Sequence, residues 1–161
     1  MKTTLALAFA IAVLHSGVAS AQGWSDDGGL KGLPAVNVGT GDPDADAAAC
    51  GITKGGLDAA IRRPLSGSKL QVRDATNHPP VVFAYAQVAR MPSWCTASVA
   101  VQVKRLLYTE RSSGGQIVLA TVWERRALAS WPQNEPARIV EAQIESFTKQ
   151  LVADWLKANG Q

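Results

Sequence analysis

Three stretches of apolar alternation follow one another between Val81 and Leu128 with almost nothing between them: VVFAYAQVAR, CTASVAVQVKRLLYT and QIVLATVWERRAL. In the middle stretch Ala97, Val99, Val101 and Val103 alternate with Ser98, Ala100, Gln102 and Lys104. A period of two sends one row to a core and the other toward solvent, so each stretch is expected to be a strand. The link ERSSGGQ is short and rich in Ser and Gly, which predicts an antiparallel hairpin between the second and third strands. Parallel neighbours need crossovers of a dozen residues or more, and the run from Val81 to Trp123 has no room for them.

A meander with one apolar face needs a cover, and the end of the chain supplies one. Val140, Ile144, Phe147, Leu151 and Trp155 recur at steps of three and four, one continuous stripe on a helix. Glu141, Glu145, Lys149 and Lys157 lie off that stripe, and Glu145 stands one turn before Lys149, a spacing that favours an ion pair. Asn134 or a neighbour is the expected cap, Pro136 is tolerated in the first turn, and Gly160 suits the end.

Upstream, LPAVNVGT reads as a first strand and KLQVRDA as a second. Between them Thr53 is placed to cap a short helix over Leu57 and Ile61, which Pro64 limits because it lacks an amide proton. The expected fold is therefore α+β: a two-layer sandwich of a mainly antiparallel sheet with one short helix and a long C-terminal helix, forming a single domain over 32–161.

The start of the chain reads differently. MKTTLALAFAIAVLHSGVASAQ combines Lys2, an apolar run from Leu5 to Leu14, and small residues at Ala19 and Ala21, the pattern of a secretory signal peptide over 1–21. The apolar run is about ten residues, and a membrane span needs roughly 20. Gln22 follows the cleavage point where a lipid-modified protein needs cysteine, so no stable membrane anchor is expected. The Gly-rich stretch that follows is expected to be a flexible lead over 22–31. Cleavage removes Lys2, leaving 15 basic against 13 acidic residues, a balance too mild to imply a nucleic-acid partner. The expected location is periplasmic or secreted.

In that compartment two cysteines read as a disulfide, Cys50 to Cys95. The alternative pairs one thiol as a nucleophile with His78, the one histidine left after cleavage, which needs the imidazole within hydrogen-bond reach. A zinc site would want four ligands, more than the two cysteines and one histidine offer. Asp42, Asp44 and Asp46 begin like a calcium loop, but Ala47 and Thr53 stand where glycine and a bidentate glutamate belong, so a solvated turn before a helix is the reading. No phosphate-cradling G-x-x-x-x-G-K-[ST] and no G-x-S-x-G elbow occurs, and no cofactor is expected. Glu124 and Glu145 are carboxylates whose distance the sequence leaves open. Among the tryptophans, Trp123 and Trp155 belong to apolar rows, whereas Trp94 and Trp131 flank strand ends beside prolines and are candidate partner contacts.

The order strand, helix, strand, three-stranded meander and long helix, closing in FTKQLVADWLKAN, resembles the amino-terminal domain of TolB and the auxiliary lipoproteins of envelope transporters. LKGLPAVNV, CGITKGGLDAAI and FTKQLVADWLKAN are also similar to small uncharacterised bacterial exported proteins. The resemblance implies a fold and a role in the cell envelope, with no catalytic residue to transfer. The leading expectation is a non-catalytic periplasmic binding or accessory protein acting on another envelope component, of open oligomeric state. A small exported thiol-dependent enzyme or redox protein using Cys50 or Cys95 is the alternative.

Overall fold

The computed structural model describes residues 29–73, 78–109 and 115–161. Positions 1–21, expected to be a signal peptide, and positions 22–28 of the expected lead lie outside the described residues. Packing begins inside the stretch expected to be a mobile lead. Leu30 is buried, and its carbonyl accepts from the Asn159 side chain at 3.2 Å. Gly29 has a positive φ of 70° and passes so close to Val122 that a Cβ would lie 2.9 Å from that side chain. Only glycine accepts both conditions.

The chain is α+β. Its elements are β1 (Ala35–Thr40), α1 (Ala45–Ala49), α2 (Lys54–Ser66), β2 (Gln71–Arg73), β3 (Val81–Arg90), β4 (Trp94–Thr109), β5 (Gln116–Pro132) and α3 (Arg138–Ala158). The strands form one sheet in the order β2-β1-β3-β4-β5. β3, β4 and β5 make the expected antiparallel meander, with Val101 facing Ala84 on one side and Arg125 on the other.

The other half of the sheet, whose strand direction the sequence left open, is parallel: β1 runs parallel to both β2 and β3. Helix α2 supplies the crossover from β1 to β2, and no second crossover is required. β2 ends with Arg73 opposite Asn37, and β3 starts with Val81 opposite the same Asn37. The two strands lie in series on opposite sides of β1, so the chain steps across β1 at one level instead of travelling back. Asn37 marks the step: its amide proton goes to Pro80 O at 2.9 Å, and its side chain donates to the His78 carbonyl.

Helix ends follow the local chemistry. Asp44 caps α1, an additional short helix, by accepting from the Ala47 amide at 2.8 Å, and Thr53 caps α2 through the Gly56 amide at 3.0 Å. Pro64 sits in the last turn of α2, so the helix runs through it and ends at Ser66. α3 starts after Ala137 without a side-chain cap, three residues past the expected Asn134. Its stripe is buried as read, from Val140 to Trp155.

α2 and α3 lie side by side on one face of the sheet. The core beneath them joins Val36 and Val38 of β1, Val82 and Ala84 of β3, the row from Ala97 to Val103 of β4, and the stripe of α3. Buried indoles in this layer have acceptors. Trp155 donates to Leu33 O at 2.8 Å, Trp123 to the Asp154 carboxylate at 2.9 Å and Trp131 to Cys50 O at 3.2 Å. Each polar edge is satisfied while the ring fills the core.

The candidate binding face

The cysteines form a disulfide, with Cα atoms 6.0 Å apart and both residues buried. Cys50 follows α1 as its C-terminal cap, and Cys95 is the second residue of β4, so the bond ties the helical crossover to a central strand. Both sulfurs are consumed in it. His78 precedes the first residue of β3, whereas Cys95 pairs with Arg90 at the last, so the length of a ten-residue strand, about 30 Å, separates them. The structure does not assemble a Cys-His pair.

The remaining candidates are dispersed. Asp44 is a helix cap, Asp42 pairs with Lys54 at 2.5 Å and Asp46 with Arg90 at 3.4 Å, so the three carboxylates turn to separate partners. Glu145 lies on α3 between Arg63 at 2.8 Å and Lys149 at 3.0 Å. These cations, Lys149 foremost, hold its carboxyl below the ordinary glutamate range. Glu124 projects from β5 on the other side of the sheet, next to Arg126.

Trp94 and Trp131 also part company. Trp131 pairs with Cys95 in the inward row and is 4 % exposed, so it serves packing and is unavailable as the surface contact expected of it. Trp94, one position before Cys95, belongs to the outward row and is 51 % exposed. A shift of one residue along a strand changes the face.

That outward row defines the side of the sheet opposite α2 and α3. Its centre is built on Ala100, which lies between Tyr85 of β3 and Arg126 of β5. The small side chain lets its two neighbours meet above it: Arg126 donates to the Tyr85 hydroxyl at 2.7 Å and to Glu124 at 2.8 Å, and Gln102 reaches the same hydroxyl at 3.3 Å. Ala100 is buried beneath this bridge although it faces away from the helices. Lys104 sits 4.9 Å above the Phe83 ring, and Arg126 packs against the Tyr85 ring. The hydrogen bond that Arg126 donates to Glu124, with the phenol nearby, raises its already high pKa.

Beyond Lys104 the face changes character. β3 starts opposite Lys104, so among the described residues the rest of β4 is paired with β5 alone. A register shift between Val103 and Lys104 marks the base of this two-stranded arm. Arg105 ties the base down by donating to Gly29 O at 2.7 Å. On the arm Leu106 faces Leu119 and Tyr108 faces Ile117, and all four are between 53 % and 69 % exposed. Leu128 adds a further exposed side chain, at 79 %, at the other end of β5. Contiguous apolar exposure of this kind marks interaction surfaces more often than it marks plain solvent-facing protein.

The sequence reading missed the arm, although the signal was present. LLY and IVL break the strict alternation that precedes them, placing apolar residues on both rows where one should be polar. No family model matches the chain, and no curated protein is significantly similar to it.

Proposed function

We propose that the protein is an exported, non-catalytic binding or accessory module of the cell envelope, periplasmic or secreted, that engages another envelope component through the open face of its sheet. One observation carries this reading: Leu106, Tyr108, Ile117 and Leu119 stand exposed on an arm continuous with a face furnished by Phe83, Tyr85, Lys104 and Arg126. Apolar anchors beside aromatic and arginine groups are the composition of protein-binding surfaces. The signal-type leader and the Cys50–Cys95 disulfide agree with an oxidising compartment. Among the described residues no helix is long and apolar enough to cross a membrane. The resemblance to the amino-terminal domain of TolB points the same way.

The test is co-purification of the tagged chain from envelope extract beside two variants. Leu106→Asp with Ile117→Asp changes the arm, and Lys157→Ala changes the helical side. A partner retained by the unchanged chain and by Lys157→Ala but lost by the arm variant is the expected result. Recovery of no specific partner, alongside turnover of a small substrate, would overturn the reading.

A further inference from the structure

β5 is a 17-residue strand at the edge of the sheet, and among the described residues its only strand partner is β4. A long bare edge is a template for another strand, and proteins that leave one unpaired usually blunt it with proline, bulges or charge. In β5 the proline comes only at Pro132, the bulge is confined to Val122, which has no β4 partner between Trp123 and Thr121, and the charges sit in a pattern that invites pairing instead. Glu124 and Arg126 flank Arg125, and both project onto the open face.

We propose that a second copy of this chain pairs with β5 antiparallel about a two-fold axis at Arg125, joining two five-stranded sheets into one of ten. The axis sets Glu124 opposite Arg126 of the second copy, and Arg126 opposite its Glu124. Two opposite-charge cross-strand pairs form by symmetry from one sequence triplet. The two Arg125 side chains point to the helical side, where each already lies 5.2 Å from its own Trp123 ring and 3.3 Å from its own Asp154. The same axis carries Ile117 and Leu119 of the arm along the segment from Leu128 to Pro132 of the second copy. Leu119 and Leu128, both exposed in the single chain, come within the reach of diagonal neighbours. Edge pairing leaves the open face uncovered and doubles its width.

Self-association is measured on the pure processed chain, so its outcome is independent of whether an envelope partner exists. Sedimentation equilibrium is expected to show a concentration-dependent dimer. Glu124→Arg or Arg126→Glu places like charges opposite each other twice, and each is expected to weaken the dimer about tenfold or more. The double variant Glu124→Arg with Arg126→Glu restores both pairs in this register and is expected to recover the original dissociation constant within about threefold. The swap also restores the in-chain pair of Glu124 with Arg126, so the thermal midpoint of each variant is read beside its dimer affinity, and single variants that keep the midpoint while losing the dimer separate lost pairing from lost folding. A chain that is monomeric at every accessible concentration overturns the proposal, as does a dimer indifferent to the single reversals or not rescued by the double one.

Discussion

The two faces of the sheet are made by different chemistry. Under α2 and α3 the β4 row from Ala97 to Val103 is apolar, and Val99, Val101 and Ile144 are wholly excluded from water. On the open side the centre is held by a phenol, a guanidinium and two polar side chains meeting over one alanine. The first arrangement derives its strength from the area removed from water, and the second from hydrogen bonds that compete with solvent. Stability therefore belongs mainly to one face, which leaves the residues of the other less constrained by the core.

The difference can be attacked in order of expected effect. Replacing Cys50 and Cys95 together by Ala opens a link between positions 45 apart in sequence and is expected to cost about 4 kcal/mol on the chain-entropy model, read by urea denaturation. Leu151→Ala, at the centre of the buried stripe, is expected to cost about 3 kcal/mol in the same measurement. On the open face, Tyr85→Phe removes only the acceptor shared by Arg126 and Gln102 and is expected to cost about 1 kcal/mol or less. A loss there as large as that of Leu151→Ala would break the division of labour between the faces.

The smallest effect concerns acid. The Glu145 carboxyl is held low by Lys149 and Arg63, so its contribution is present above the ordinary glutamate value near pH 4.3 and fades as pH falls through the lower folded value. Glu145→Gln is therefore expected to lower the thermal midpoint slightly at neutral pH and to converge on the unchanged chain as pH falls below about 4. An unchanged acid profile would mean that the exposed bridge between α2 and α3 is fully screened.

Much of this was legible in the residues. The stripe from Val140 to Trp155 survived because a period of 3.6 over five apolar positions has one geometric meaning. The disulfide followed from compartment and parity, and the meander from links too short for anything else. What the residues left open was strand direction at β1, because alternation looks alike in parallel and antiparallel pairs. Two successive strands that run the same way ordinarily need a long crossover between them. β2 and β3 evade it by sharing β1 end to end, a register fixed at Asn37 by contacts distant in sequence. The fate of Trp131 could have been foreseen. It lies eight residues after Trp123, an even number, so one unbroken strand turns both indoles to the same face.

The position of β1 bears on the order in which the molecule assembles. Among the described residues it is the first strand to be synthesised, yet both of its hydrogen-bonding edges are closed by residues that come later, one by β2 and the other by β3. β3, β4 and β5, by contrast, pair with immediate neighbours in sequence and close only short loops. Local pairings form faster than distant ones, so the meander is expected to take shape first and to present the free edge of β3 as a docking line. Seating β1 along that line, with α2 folding over it, is then the late event, and until it occurs the chain carries an open strand edge at each side of its nascent sheet.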